Sequence, residues 1–279
     1  MSIAITDDHR ALGETASDFL AKREARRANR DLLEAAEEPM PAFWGDLVDL
    51  GWLGLHLPEE YGGSGYTLEE LVVVVEELGR AVAPGPFVPT VIASALIAAA
   101  GDDATKKRFL PGLADGSLTA GVALEGSVAV SGGKASGSLP AVLGGGLAKI
   151  LVVPAGDDVA VVEVGAGVTA EVPRNLDPSR RSAKVTFDGA AATVLAGAGQ
   201  ALTDLARVIL SAEAVGVSRE CTELAAQYAK ERMQFGRVIG TYQAVKHHCA
   251  NMAVATELAT SAVWDAARAA ATGGDQLTY

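Results

Sequence analysis

The chain has 279 residues, of which 49% are hydrophobic and 21% are charged, and its formal net charge at pH 7 is -12. This length allows two or three domains with buried cores. Excess negative charge without a basic patch opposes binding to nucleic acids and to anionic membranes. No apolar run reaches the ~18 residues of a membrane span, and residues 1–10 lack a signal-peptide pattern. We therefore predict a cytoplasmic protein without a nucleic-acid partner or membrane insertion.

The first part of the chain, up to about residue 116, has the apolar spacing of helices. Between residues 68 and 82, apolar side chains recur at spacings of three and four, and Thr67 with Glu70 forms a capping box before them. Pro84, Pro86 and Pro89 are expected to break this helix. These patterns predict an N-terminal helical domain over residues 1–117.

The middle of the chain changes to short runs rich in β-branched residues. Glycine and aspartate turns separate the runs Ile150–Val153, Val159–Val162 and Lys184–Phe187. We therefore predict a small antiparallel β domain over residues 118–198.

The last part of the chain is alanine-rich and helical from residue 201 to 271, with one interruption between Gly236 and Gly240. Thr241 is expected to cap the helix that follows, because its side-chain oxygen can accept an unpaired backbone N–H. This predicts a C-terminal helical domain over residues 199–279. The fold class expected from the whole chain is α+β and mainly helical.

A cation, an aromatic ring and an amide surround the glycine interruption. Arg232 should stand at the helix corner, where a guanidinium binds phosphate oxygens in pairs and keeps its charge. Phe235 can lie against a planar ring, and Gln243 can bond the edge of that ring. Together they predict a dinucleotide site. The alternative is that Arg232 pairs with a carboxylate, Phe235 packs in the core and Gln243 is solvated.

The motif Glu231-Arg232-x-Gln234-Phe235-Gly236-x-x-Ile239, followed by Gln243, resembles the start of the C-terminal helical domain of acyl-CoA dehydrogenases. Further segments are similar to other parts of the same family, in the same order along the chain. They are residues 51–65 (GWLGLHLPEEYGGSG), 108–113 (RFLPGL), 175–181 (NLDPSRR) and 185–189 (VTFDG). The resemblance covers essentially the whole chain and implies an N-terminal helical domain, a middle β domain and a C-terminal helical bundle.

The resemblance also implies a chemistry and a cofactor. In this family a carboxylate removes the proton next to the thioester carbonyl of an acyl-CoA, and FAD accepts the neighbouring hydrogen as hydride. The implied FAD contacts reach across a subunit interface to the flavin of a neighbouring subunit. The residues that match them here are Arg232, Gln234, Phe235, Gly236 and Gln243, and Arg207 matches a position on the substrate side.

The catalytic carboxylate of the family has no match in this chain. One family position lies in final helices that the sequence, ending at Tyr279, does not contain, so the C-terminal bundle is expected to be incomplete. The other position precedes Arg207 and is occupied by Ala206. We expect the nearby acids Asp204 and Glu213 to face solvent or to cap a helix. No catalytic residue is therefore predicted.

Two further expectations concern metals and the middle domain. Cys221 and Cys249 lack the spacing of metal ligands and are expected to be packed in the interior, and no metal site is predicted. Residues 123–127 and 139–146 stand where the family has polar segments that bind flavin and acyl-CoA. Each lost hydrogen bond would cost about 0.5–1.5 kcal/mol of binding.

The interpretation most consistent with these departures is a non-catalytic subunit that lends its half-site to a second acyl-CoA dehydrogenase subunit, in an α2β2 heterotetramer. In this it resembles the short subunits of paired actinobacterial dehydrogenases that act on steroid side-chain CoA esters. Three alternatives remain. They are an ordinary homotetrameric dehydrogenase whose base-bearing segment is absent from the sequence, a cofactor-free helical interaction protein, and an acyl-CoA-binding regulator.

Overall fold

Helices flank a central β barrel in the computed structural model, which describes residues 5–272. The helices are α1 Asp7–Lys22, α2 Ala25–Leu32, α3 Trp44–Asp49, α4 Leu68–Arg80, α5 Phe87–Ala100, α6 Asp103–Ala114, α7 Gly199–Glu231 and α8 Gln243–Thr272. The strands are β1 Ala120–Val122, β2 Ala129–Ser131, β3 Lys134–Leu143, β4 Ile150–Ala155, β5 Asp158–Glu163, β6 Val168–Glu171, β7 Ser182–Leu195, β8 Met233–Gln234 and β9 Arg237–Val238. The predicted order of helices, strands and helices is confirmed. None of the helices described has both the length and the apolar character needed to span a membrane.

Helix α4 begins as its sequence predicts. The Glu70 carboxylate accepts the backbone N–H of Thr67 at 2.9 Å, which completes the capping box. The expected proline break is only partly right. Pro84 and Pro86 separate α4 from α5, but Pro89 lies in the first turn of α5, where a backbone N–H has no partner within the helix.

The middle strands close into a barrel, which corrects the expectation of a purely antiparallel domain. The ring runs β1, β4, β5, β7, β3 and back to β1, with β2 paired to β3 and β6 paired to β7. Strands β1 and β4 pair in parallel, from Ala120 opposite Ile150 to Val122 opposite Val152, whereas the other barrel pairings described are antiparallel. Closure leaves the ring strands without open edges.

Strand β4 joins the barrel to the helices because both of its faces are buried. Leu151 and Val153 belong to the core inside the barrel, while Ile150 and Val152 belong to the core shared with the helices. That second core also includes residues of α1, α5, α7 and α8. The helical parts and the barrel therefore share one core, and the domain boundaries at residues 117 and 198 remain a prediction.

Helices α4 and α7 cross at two glycines. A Cβ added to Gly216 would lie 1.9 Å from the carbonyl oxygen of Glu76, and one added to Gly79 would lie 2.2 Å from that of Glu213. Each glycine therefore lets the backbone of the other helix approach more closely than any side chain permits. The crossing sets where α7, and the segment at its C-terminal end, lies relative to the N-terminal helices.

Replacing Gly216 by alanine should destabilise the fold by about 1–3 kcal/mol or more, because the new methyl group overlaps a backbone oxygen that has no room to move. Urea unfolding followed by circular dichroism measures this loss. Gly45→Ala is the matched control, since a Cβ there meets nothing within 4 Å, and alanine in a helix should be neutral or stabilising by up to ~1 kcal/mol. Equal stability of the Gly216→Ala variant and the wild type would contradict the crossing.

His56 lies in the segment after α3 and contacts helix α5. Its Nε2 lies 3.0 Å from Ser94 Oγ, and its Nδ1 has neither solvent contact nor a hydrogen-bond partner among the described residues. Burial therefore lowers the pKa of His56 from 6.5 to about 4. The folded protein consequently prefers the neutral imidazole.

Neutral His56 should make its full contribution to the free energy of unfolding above pH 6.5. This contribution should fall as the pH drops from 6.5 toward about 4, because the unfolded chain takes up the proton first. The loss should reach up to ~3 kcal/mol. Urea unfolding at several pH values should show that the free energy of unfolding depends less steeply on pH for His56→Gln than for the wild type. His247→Gln, which changes an exposed histidine, should keep the wild-type slope. Parallel curves for the wild type and His56→Gln would refute this role.

Candidate functional site

The glycine interruption forms a β-hairpin at the C-terminal end of α7. Arg232 caps α7 with an extended backbone, and strands β8 and β9 follow in antiparallel pairing. Phe235 and Gly236 form the two-residue turn, with φ of 52° and 75°. Positive φ at both central residues is characteristic of a type I′ turn, which normally carries asparagine, aspartate or glycine at its first position. Phenylalanine at this position is therefore strained.

The side chains of the predicted dinucleotide site lie on the surface of the chain. Phe235 is 92% exposed, which excludes the alternative that it packs in the core. Arg232 is exposed and forms no ion pair with the described residues. Gln243 is exposed at the first residue of α8, and Gln234 and Gly236 are exposed in the hairpin. The hairpin thus presents a cation, a ring and an amide to whatever lies beside it.

Local contacts fix the hairpin, and they correct the expected role of Thr241. The Thr241 hydroxyl donates to the Val238 carbonyl at 2.6 Å within a short 3₁₀ turn, while α8 begins only at Gln243. Thr241 therefore does not cap α8. The next residue, Tyr242, donates its hydroxyl to the Gln234 carbonyl at 3.3 Å.

Arg237 and Tyr242 are a pair that the sequence motif did not single out. The Arg237 guanidinium lies 4.1 Å from the centroid of the Tyr242 ring, a distance typical of a cation–π contact. A signal was present in the sequence. In a two-residue hairpin, the residue after Phe235-Gly236 lies opposite Gln234, and an aromatic residue five positions later can reach the same strand pair.

Arg207 lies where α7 borders α8, beside a groove of about 180 Å³ that is also lined by Val208, Ala262 and Ala266. Its side chain is 74% exposed and lies 3.8 Å from Asp204. The Asp204 side chain is only 10% exposed and also accepts a hydrogen bond from Gln200 at 2.9 Å.

The expectation that Asp204 and Glu213 face solvent is wrong. The Asp204 carboxylate is mostly buried, and Glu213 pairs with Arg180 in a half-buried ion pair beside a cavity of about 500 Å³. Both acids therefore have charged partners. Ala206, which is expected to match the position of a family base, is buried.

Two further expectations are tested by side-chain positions. Cys221 is exposed and Cys249 is half-buried, so the expectation that both are packed in the interior is wrong. In the segment 123–127, the Ser127 hydroxyl accepts the Gly156 N–H at 2.8 Å and thereby holds a turn of the barrel. Leu139 and Val142 of the second segment point into the filled barrel core. These segments therefore offer few polar side chains to a ligand.

Comparison with known families agrees with this architecture. Residues 6–117 match the model of the acyl-CoA dehydrogenase N-terminal domain, and residues 197–278 match that of the acyl-CoA dehydrogenase C-terminal domain. The chain belongs to the acyl-CoA dehydrogenase family, whose members depend on FAD.

Particular relatives cover the chain almost completely. It is 36% identical to acyl-CoA dehydrogenase FadE34 of Mycobacterium tuberculosis over all of its own length, but it spans only 40% of that protein. It is 32% identical to acyl-CoA dehydrogenase IpdE2 of the same organism, covering 94% of this chain and 76% of the relative.

Solved structures show the same fold. The Tcur3481-Tcur3483 steroid ACAD is 30% identical and superposes with a TM-score of 0.88, covering 96% of this chain and 79% of that one. The ChsE4-ChsE5 complex from Mycobacterium tuberculosis superposes with a TM-score of 0.86 at 24% identity, covering 96% and 80%. The family-like fold predicted from the sequence is therefore confirmed.

Replacing Phe235 by asparagine should stabilise the chain by up to ~1 kcal/mol, because asparagine tolerates the left-handed backbone of the turn. Phe235→Ala is the matched control. It also removes the ring but keeps a Cβ without the asparagine amide, so it should not gain this stability. Chemical denaturation of both variants measures the difference, and a less stable Phe235→Asn variant would contradict the assignment of strain to the turn.

Proposed function

We propose that this chain is a subunit of an FAD-dependent acyl-CoA dehydrogenase and contributes a half-site for the flavin nucleotide of a second, catalytic subunit. One observation carries the proposal. Arg232, Phe235 and Gln243 are exposed around one hairpin, where they can bind a nucleotide held by another chain. The α2β2 stoichiometry, the FAD position at a subunit interface and the roles of these residues are parts of this proposal.

The chemistry of the three groups fits a flavin nucleotide. A guanidinium that forms no ion pair with the described residues suits the pyrophosphate, and an exposed ring and an amide suit a planar heterocycle with polar edges. When bound, FAD supplies the hydride acceptor of the reaction. The part of this chain is to bind and orient the nucleotide and to cover it from water.

The state of the acids supports a non-catalytic subunit. A general base must lie within hydrogen-bonding reach of the proton it removes. Asp204 accepts a hydrogen bond from Gln200 and lies 3.8 Å from Arg207, and Glu213 is paired with Arg180. We infer that neither acts as the base, and that the carboxylate of the reaction belongs to the partner chain.

An exposed apolar stripe on α7 supports the presence of that partner. Val217, Leu224 and Tyr228 are exposed at helical spacing on one face, with Cys221 between them. The stripe runs toward the hairpin, since the Arg232 N–H bonds to the carbonyl of Tyr228. Exposed apolar patches of this kind mark protein–protein contacts. We propose that this stripe continues the interface formed by the half-site.

The substrate class follows from the relatives rather than from a pocket of this chain. The similarity to a protein described as a steroid ACAD supports a CoA thioester of a steroid side chain as the substrate of the assembled enzyme. The similarity to the ChsE4-ChsE5 complex supports a partner that is itself an acyl-CoA dehydrogenase subunit.

Co-expression tests the proposal. The tagged chain is produced alone and with second acyl-CoA dehydrogenase chains, and each preparation is examined by native mass spectrometry and by absorbance near 450 nm. Flavin and dehydrogenation of a steroid-CoA ester should appear only in a mixed assembly. Stoichiometric FAD and activity in the chain alone would overturn the proposal in favour of a homo-oligomeric enzyme. Absence of flavin from every preparation would favour an interaction protein.

Arg232→Gln should weaken FAD binding by the mixed assembly about 10- to 100-fold, because a hydrogen bond to a charged group contributes about 1.5–3 kcal/mol. Titration with FAD, followed by the quenching of its fluorescence, measures the affinity. Arg27→Gln removes an exposed arginine that pairs with Glu24 and should leave the affinity unchanged. Equal affinities of the Arg232→Gln assembly and the wild type would exclude Arg232 from the site.

A further inference from the structure

The hairpin that presents Phe235 is too small to hold its own shape. Its strands contribute two residues each, with Met233 opposite Val238 and Gln234 opposite Arg237. An isolated two-stranded hairpin is marginally stable in water even when it is longer. The turn is also strained, because Phe235 adopts a positive φ. Contacts from outside the hairpin must therefore keep the turn in place.

One residue outside the hairpin contacts both of its strands. The Tyr242 hydroxyl donates to the Gln234 carbonyl at 3.3 Å on β8, and the Tyr242 ring stacks under the Arg237 guanidinium at 4.1 Å on β9. Gln234 and Arg237 are the last pair before the turn. Tyr242 therefore contacts the hairpin at the strand pair next to Phe235 and Gly236.

The position of Tyr242 in the chain connects these two contacts to α8. Tyr242 immediately precedes Gln243, the first residue of α8, and its carbonyl accepts the backbone N–H of Lys246 in the first turn of that helix. The hairpin is fixed on its other side by the Ile239 N–H, which donates to the Arg232 carbonyl at 2.8 Å. Tyr242 thus contributes, with the Ile239–Arg232 hydrogen bond, to the relative positions of Arg232, Phe235 and Gln243.

We propose that Tyr242, with Arg237 stacked on its ring, is the positioning residue of the nucleotide half-site. It holds the strained turn so that the Phe235 ring, the Arg232 guanidinium and the Gln243 amide meet the flavin nucleotide together. This role rests on the proposed function of the hairpin. Tyr242 itself acts through the hairpin, and the contact with FAD is made by the three presented groups.

Three variants, with Arg237→Lys as a fourth that keeps the cation, separate the two contacts of Tyr242. Tyr242→Phe keeps the ring and removes the hydroxyl, Tyr242→Leu removes both, and Arg237→Gln removes the cation from the stack. Tyr242→Leu should weaken FAD binding by the mixed assembly at least 10-fold. Tyr242→Phe and Arg237→Gln should cause smaller losses, and Arg237→Lys should restore part of the affinity because it retains a cation.

Two measurements distinguish positioning from a general structural role. Hydrogen exchange of the free chain should quicken in residues 233–242 of the Tyr242→Leu variant, while exchange in the buried strand β4 stays at the wild-type rate. In the mixed assembly, the mass of the complex should be unchanged, while the FAD dissociation rate rises and the flavin absorbance bands shift. A change in folding stability alone would not move the flavin spectrum in an intact complex.

The outcomes are separable from those of the proposed function. A flavin-loaded wild-type assembly whose affinity is unaltered by Tyr242→Leu would overturn the positioning role and leave the half-site standing. Unchanged hydrogen exchange in residues 233–242 of that variant would also overturn it, without any need for a partner. A wild-type assembly that never binds FAD would overturn the half-site and this role together.

Discussion

The close crossing of α4 and α7 is the constraint on which the rest of the molecule depends. Gly79 and Gly216 each remove a side chain where the backbone of the other helix passes, so the two helices meet almost backbone to backbone. Helix α7 is 33 residues long. A rotation at the crossing would displace its C-terminal end by many ångströms, because that end lies several helical turns from Gly216. The hairpin at that end is therefore positioned from the N-terminal helices as well as from α8.

Arg219 extends the crossing to α8. Its guanidinium donates to Glu76 of α4 at 2.7 Å, to Glu257 of α8 at 3.1 Å and to the hydroxyl of Thr260 at 3.0 Å. Burial alone would lower the pKa of Arg219, but Glu76 and Glu257 outweigh it and raise the pKa. The planar fork of arginine suits this three-way contact, which a lysine would make with less geometric control. Helices α4, α7 and α8 thus share one charged centre next to a glycine contact.

Sequence patterns predicted those parts of the fold that depend on neighbouring residues. The capping box of Thr67 and Glu70, the strand β5 and the break at Gly236 are local and were found. Closure of the barrel was missed because the parallel pairing of β1 and β4 joins segments about thirty residues apart, and a strand does not reveal its partner. The burial of Asp204 and Glu213 was missed because burial is set by tertiary packing. Glu213 pairs with Arg180, which lies 33 residues away, whereas the partners of Asp204, Gln200 and Arg207, lie on the same helix. The surface position of the residues proposed for the half-site followed from the motif. The partner that they would meet cannot be predicted from a single chain.

The turn at Phe235 shows how local preference and proposed function oppose each other. Asparagine or glycine would satisfy the left-handed backbone at lower free energy, yet the chain places a large ring there and leaves it in solvent. An exposed ring gains little in the free chain, because it buries no area to offset the backbone strain. Strain of this kind persists when surrounding contacts hold it, and it marks positions where binding rather than folding selects the residue. Under the proposed function, Tyr242 and Arg237 are those contacts, and the free chain presents the ring before a partner binds. The free energy of association then does not have to order the hairpin.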